Sequence, residues 1–520
     1  MNVFKNICEW ARKNKYETVG VLLIILVAFI LRVYRIDEYM TFLGDEGRDM
    51  LVMKKIWVDF DLPFIGPPTS VGNMYLGPLY YYMMAVVTGI FWMNPVAASV
   101  MVAFIGIATV GFIYYLARIW FGRLAAVVAA VLYALSPVTI VYARSSWNPN
   151  PAPFFALLSL FGLYKVHRSG NMNWLILTGV GIAFAINMHY LALILIPIMG
   201  LLWLYELVIH YRRKLKRTNV WFGTFLAVFT FLALMSPLFV FDIKHNYPNY
   251  YALMILFNSK ESSVGGGLYE NLIKIFPIYT DKLVGRYISG LEYGLHWIVS
   301  VLILLPLIWV GIAKIKGIRL RWPYLGLGVF LVFGLLGLTF YKNEIYDHYI
   351  GFLTPAAFIL FGALGGLLWN LKNKQSSSLR NNLKYGAIGL YGLVVITIVV
   401  GMIYRTPLQF PPNQQLQRTQ LIAKEVLANT DGKPYNFALI AKSNYDAAYQ
   451  FYLEQYGEKP GQLPFDKTEQ LFVVCEDAEC NPINHPKFEI AAFGMSKIEW
   501  EKDFQGIKLF KIVANPGGTP

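Results

Sequence analysis

The sequence predicts an all-α polytopic membrane protein that ends in a small extracytoplasmic α/β domain. Three observations lead there. Of the 520 residues, 56% are hydrophobic and only 15% are charged, whereas a water-soluble domain carries about 25% charge. Apolar runs of membrane-crossing length, about 20 residues each, recur up to residue 403. From residue 404 onward the runs shorten and alternate with polar stretches.

The candidate spans lie near 17–34, 97–117, 123–142, 152–166, 172–188, 190–209, 219–240, 295–313, 323–341, 349–370 and 384–403. A further run, Leu79 to Met93, is shorter and rich in tyrosine. Loop charge decides how it is read. The N-terminal flank holds Lys5, Arg12, Lys13 and Lys15, and later basic loops lie at Arg118/Arg123, Lys165/Arg168, 212–217, 314–321 and 372–384. These fall on one side only if 79–93 does not cross. The positive-inside rule then gives about eleven spans, with 79–93 in or beside the outer interface. The expected location is a plasma (inner) membrane, crossed many times, with a cytoplasmic N-terminus. The first apolar run leads into Arg35 and acidic residues, unlike a cleavable signal peptide. A net charge of +14 would point to nucleic acid in a soluble chain. Here the basic residues cluster between apolar runs, so membrane orientation accounts for them and nucleic acid is not an expected partner.

Residues 1–403 form the expected transmembrane domain, with outer loops at 35–96 and 241–294; the latter holds Gly265-Gly266-Gly267, an expected mobile stretch. Residues 404–520 form the expected α/β domain. Helix-like stretches cover Thr419–Asn429 and Asn444–Tyr456, and strand-like runs cover Asn436–Ala441, Gln470–Val474 and Ile507–Val513. Cys475 and Cys480 are read either as a disulfide or as two free thiols.

The residues that could carry chemistry fall on one face of the membrane by this topology. Loop 35–96 carries Gly44-Asp45-Glu46-Gly47-Arg48. A carboxylate there can take a proton from a hydroxyl, and an arginine can balance a phosphate. Read alone, the same residues are first a solvated acidic loop. Gly77-Pro78 starts a helix bearing Tyr80 and Tyr81, read as substrate contacts or as an interfacial anchor. Ser136-Pro137 precedes Tyr142-Ala143-Arg144 and Asn148; Arg144 either snorkels to the interface or holds a lipid phosphate. His189 and the pair His348-Tyr349 sit at outer helix ends, where polar groups are costly.

Taken together these pieces resemble the GT-C superfamily of integral membrane glycosyltransferases. The branch they look most like contains the dolichyl-phosphate-mannose–protein mannosyltransferases and the aminoarabinose transferase of lipid A. The matching pieces are Asp45-Glu46-x-Arg48 after the first span, Pro78-Leu79-Tyr80-Tyr81, the turn near Arg118–Arg123, Ser136-Pro137 to Arg144, and His348-Tyr349 with Pro355. They cover roughly residues 15–370. The resemblance implies transfer of a sugar from a polyprenyl-phosphate donor, with inversion, to an acceptor hydroxyl of a protein, lipid or polysaccharide. It implies Asp45 as the catalytic base beside Glu46, and Arg48 and Arg144 as phosphate contacts. Tyr80, Tyr81, Asn148, His189, His348 and Tyr349 are the remaining substrate-binding candidates. No ATP is required, and metal dependence is open, since Asp45 and Glu46 together leave room for a divalent metal. Two departures stand out. Leu76-Gly77 occupies the place where relatives often have a basic residue or histidine. Asn148-Pro149 stands where protein mannosyltransferases carry an aspartate, which weighs against protein mannosylation. The rival reading is a polytopic transporter or lipid flippase, which would need mid-span charges and paired broken helices; few of the former and no clear repeat are present.

Overall fold

The computed structural model describes residues 9–214, 217–258, 268–315, 321–341, 343–371, 378–477, 480–515 and 517. The triple glycine at 265–267 lies outside them. The chain is mostly helical, followed by one small sheet.

Among the described residues seven helices are long and apolar enough to cross a membrane, or eight if the bent pair Arg123–Leu135 and Pro137–Ala143 is one span. The other expected spans fall on Ala152–Ser169 and on two shorter apolar helices, Met172–Met188 and Trp322–Leu338. Leu79–Ile90 has 12 residues. At about 1.5 Å per residue that length covers well under the ~30 Å hydrocarbon core.

Lipid and protein faces separate by burial. In Lys15–Val33 and Asn219–Lys244 only 11% of the apolar window is buried, so these are peripheral helices with Leu22, Leu23, Phe225 and Phe229 turned outward. In Asp347–Asn370 the figure is 94%, which makes it the central helix. Its small residues permit that position. A Cβ at Gly362 would collide with the Ala125 carbonyl, and one at Gly366 would stand 2.7 Å from the Phe121 carbonyl. Close backbone approach through small residues is how helices pack without help from the hydrophobic effect.

The bend of 62° between Arg123–Leu135 and Pro137–Ala143 has a direct cause. Pro137 lacks the N–H that would meet the Tyr133 carbonyl. Arg32, fully buried, reaches across from the first helix and supplies donors instead, to the carbonyls of Ala134 (2.9 Å) and Tyr133 (3.2 Å) and to Thr139 Oγ1 (3.1 Å). Arg32 was not among the residues singled out from the sequence.

The C-terminal sheet has the order β1-β2-β4-β3. β1 (Asn436–Ile440) runs parallel to β2 (Gln470–Cys475), while β4 (Ile507–Ala514) runs antiparallel to both β2 and β3 (Ser496–Phe504). Helices Gln415–Ala428 and Ala447–Tyr456 match the two helix-like stretches to within a turn. Two elements are additions to the expectation, β3 and the short helix Phe488–Phe493. β3 escapes because it is an edge strand, mostly exposed and rich in Lys and Glu. Cys475 and Cys480 are joined by a disulfide.

Segment 35–96, expected as a long loop, contains the helix Gly44–Val58. That helix joins the two parts of the molecule. Gly47 packs against the Ala447–Ala448 backbone so closely that a Cβ there would overlap it, and at Gly44 a Cβ would stand 2.5 Å from the Tyr445 ring. Lys54 Nζ donates to the Glu454 carbonyl at 3.0 Å, and the Phe42 N–H donates to Gln415 Oε1 at 3.1 Å.

Candidate active site

The first turn of Gly44–Val58 sorts its acidic residues by helical geometry. Asp45, Arg48 and Asp49 lie at spacings of three and four and share a face, while Glu46 faces elsewhere. Arg48 lies between the two aspartates. Its Nη1 donates to Asp45 Oδ1 at 2.9 Å, and its Nη2 and Nε donate to Asp49 Oδ1 at 2.7 and 3.0 Å. Tyr81 adds a third donor to Asp49 Oδ1 at 3.1 Å. Asp45 receives a second donor from far along the chain, the Tyr445 hydroxyl at 2.9 Å. Asp45 is 41% exposed, whereas Asp49 is fully buried. Among the described residues Asp45 Oδ2 has no protein partner.

Burial dominates the titration of this turn. It pushes Asp49 up to about 6, with Arg48 pulling the other way. It pushes Glu46 up to about 8, against the pull of the Leu43 and Glu46 backbone N–H groups. Burial alone would lower Arg48, but Asp49, Tyr81 and Asp45 around it raise it above its ordinary value.

Asp45 and Arg48 stand at one side of a cavity of ≈ 170 Å³, whose other walls include Ser70, Trp147, Asn148, His189, His348 and Tyr349. The cavity is smaller than the roughly 300–1,000 Å³ usual for a drug-sized ligand. The far wall is ordered by ring contacts. His189 packs on Tyr190 and Tyr349 with centroids 4.7 and 4.6 Å apart, and His348 lies 4.3 Å from Trp147. His189 Nδ1 accepts the Leu191 N–H at 3.3 Å, which leaves Nε2 as the other ring nitrogen for the cavity. Asn148 donates to the Met188 carbonyl at 2.7 Å, and the Tyr349 hydroxyl meets Ser70 Oγ at 3.1 Å.

Six of the ten residues expected at the site therefore converge: Asp45, Arg48, Asn148, His189, His348 and Tyr349. Four do not line the cavity. Glu46 turns back to cap its own helix, accepting the Leu43 N–H at 3.0 Å, and is 4% exposed. Tyr80 is buried with its hydroxyl on the Ser146 carbonyl, and Tyr81 serves Asp49 from behind. Arg144 was expected on a lipid phosphate. Its Nη1 and Nη2 donate instead to the carbonyls of Leu31 (2.9 Å), Tyr34 (2.8 Å) and Arg35 (3.1 Å), its guanidinium lies over the Tyr39 ring, and among the described residues its buried Nε has no partner. It closes the exposed carbonyls at the end of the first helix, where four acceptors lack helical partners.

The sequence reading missed Asp49, Trp147, Ser70 and Tyr445. Asp49 stood in plain view, but only a helix makes it a neighbour of Arg48. The departure at Leu76-Gly77 also has a cause: a Cβ at Gly77 would collide with Asn187 Oδ1, which accepts the Leu79 N–H at 3.2 Å. A divalent metal does not fit the Asp45-Glu46 pair, because Glu46 points away and Asp45 Oδ1 is occupied by Arg48 and Tyr445. Among the described residues no group of three or more His, Cys, Asp or Glu is placed to hold one.

Comparison with known proteins agrees with the fold. Residues 76–241 match the family model described as dolichyl-phosphate-mannose-protein mannosyltransferase. Over 168 residues, 32% of the chain, the sequence is 29% identical to "Putative mannosyltransferase YkcB" of Bacillus subtilis (strain 168), and the match spans 23% of that protein. ArnT from Cupriavidus metallidurans, solved with undecaprenyl phosphate, superposes with a TM-score of 0.59 at 15% identity, covering 97% of this chain and 99% of ArnT. The oligosaccharyltransferase AglB from Archaeoglobus fulgidus, solved with an inhibitory peptide and a dolichol-phosphate, gives 0.51 at 12% identity, covering 89% of this chain and 70% of AglB.

Proposed function

We propose that this chain, a multi-pass membrane protein with the GT-C fold, is a glycosyltransferase that moves a sugar from a polyprenyl-phosphate carrier to an acceptor hydroxyl on the extracytoplasmic face. The observation that carries this reading is the placement of Asp45. One carboxylate oxygen is tied by Arg48 and Tyr445, and the other has no partner among the described residues beside a cavity lined by Asn148, His189 and His348. The family match over 76–241 and the lipid phosphates bound by ArnT and AglB support the choice of donor.

The chemistry is a single displacement. Asp45 Oδ2 takes the proton of the acceptor hydroxyl as its oxygen bonds to the anomeric carbon. The bond from that carbon to the phosphate oxygen breaks, and the polyprenyl phosphate leaves with the electron pair. Attack opposite the leaving group inverts the anomeric centre. Arg48, His189 and His348 meet the charge that gathers on the phosphate. No covalent intermediate is needed, because the phosphate is already a good leaving group.

The test is a transfer assay on purified protein in detergent, offering a panel of polyprenyl-phosphate sugars and acceptor hydroxyls and following release of free polyprenyl phosphate. Asp45→Asn should cut the rate by about 10²–10⁴-fold, the usual worth of a general base, while the protein still folds and inserts. A variant that turns over normally removes Asp45 as the base.

A further inference from the structure

Resting on the transferase reading, we propose that the C-terminal domain completes the catalytic centre: Tyr445 is a positioning residue that holds Asp45 so that its free oxygen faces the cavity.

Within its own helix Asp45 has a single side-chain partner, Arg48 Nη1. The Nε and Nη2 of the same guanidinium are bound to Asp49, so Arg48 is aimed primarily at the buried carboxylate. Asp45 is much more exposed and would rotate freely on that one bond. The Tyr445 hydroxyl provides the second, donating to Asp45 Oδ1 at 2.9 Å while accepting from Arg48 Nη1 at 3.1 Å. The three groups close a triangle in which both donors take the same carboxylate oxygen. Oδ2 is thereby left for the acceptor.

The tyrosine is itself placed with care. Its ring lies against Gly44, where any larger residue would collide with it. The neighbouring Asn444 accepts the Gly44 N–H at 2.9 Å through Oδ1 and donates through Nδ2 to both oxygens of Glu476 at 3.1 and 2.9 Å. Tyr449 donates to Glu476 Oε1 at 2.8 Å. A chain of bonds thus runs from the end of β2 to the first turn of the helix that bears Asp45. A domain that merely capped the outer loops would not need to reach the one exposed carboxylate of the site.

The experiment compares steady-state kinetics of wild type and Tyr445→Phe in the full-length protein. The ring and its packing on Gly44 remain, and only the hydroxyl is lost. The expected result is a fall in kcat of roughly tenfold to a hundredfold, less than loss of the base itself, with the donor KM within about twofold and Tm unchanged. Tyr445→Ala, with the ring also removed, should lower kcat at least as far. Wild-type kcat in Tyr445→Phe, or a loss that appears only as raised donor KM or lowered Tm, overturns the positioning role while leaving the transferase reading intact. A wild-type protein that is folded yet inert toward every donor and acceptor offered overturns the transferase reading, and this inference with it.

Discussion

Asp45 and Glu46 are neighbours in the chain with opposite surroundings, because successive helix positions point about 100° apart. Asp45 stands, partly exposed, at the side of the cavity, while Glu46 is folded back under the helix start, where burial raises it to about 8 from an ordinary 4.5. The sign of the resulting pH dependence follows from linkage. A carboxyl whose folded value is raised binds its proton more tightly in the native state, so its contribution is fully present below its unfolded value and is lost as pH rises through the folded one. Asp49, raised to about 6, acts in the same direction over a lower range. The thermal midpoint of the detergent-solubilised protein should therefore fall between about pH 5 and pH 8. Glu46→Gln keeps an oxygen for the Leu43 N–H and cannot ionise, so it should flatten the upper half of that fall. A slope identical to wild type in differential scanning fluorimetry would show that Glu46 does not titrate in this range. Arg144 shows the same lesson at residue scale: a lone cation at a membrane boundary satisfied three backbone carbonyls, so its sequence context could not tell anchoring from ligand binding.

Among elements, the helix Gly44–Val58 has the largest consequence. It was hidden in the sequence because its apolar content is low and Asp, Glu, Arg and Lys interrupt it, the pattern of a solvated loop. It forms against a partner, helix Ala447–Tyr456, and the contact needs glycine at 47. Gly47→Ala would drive a Cβ into the Ala448 backbone, an overpacking that costs about 1–3 kcal/mol. The variant should show a lowered Tm and faster proteolysis between residues 404 and 415, whereas Gly20→Ala, with nothing within 4 Å of the added carbon, should behave as wild type. Equal protease resistance in all three proteins would mean that the helix contact does not hold the domain. The bend at Pro137 is a second case, in which a proline readable in the sequence frees a carbonyl and an unremarked arginine, Arg32, meets it.

For the whole molecule, the central question is which side each part faces. The transferase reading places the site and the C-terminal domain outside and Cys8 inside. A thiol reagent that cannot cross membranes should label Cys480 in intact cells after mild reduction of its bond to Cys475, and should reach Cys8 only after permeabilisation. The reverse pattern would invert the topology and remove the site from the outer face.

What the sequence by itself determined was membrane class, the approximate spans, a small sheet-bearing part near the C-terminus, and most of the cavity's polar lining. Those properties follow from local quantities: apolar length against bilayer thickness and chemical type at helix ends. His189 and His348-Tyr349 were legible because polar groups at outer helix ends are costly and stand out, and Asp45 and Arg48 because a carboxylate beside an arginine suits transfer from a phosphate. Only the tertiary structure decided which of two adjacent carboxylates meets the cavity, that Arg144 and Tyr80 are held by backbone carbonyls, and that Tyr445 reaches Asp45. These depend on direction and on partners up to 400 positions away. No local pattern encodes such a meeting, because the energy that creates it comes from packing two distant segments together.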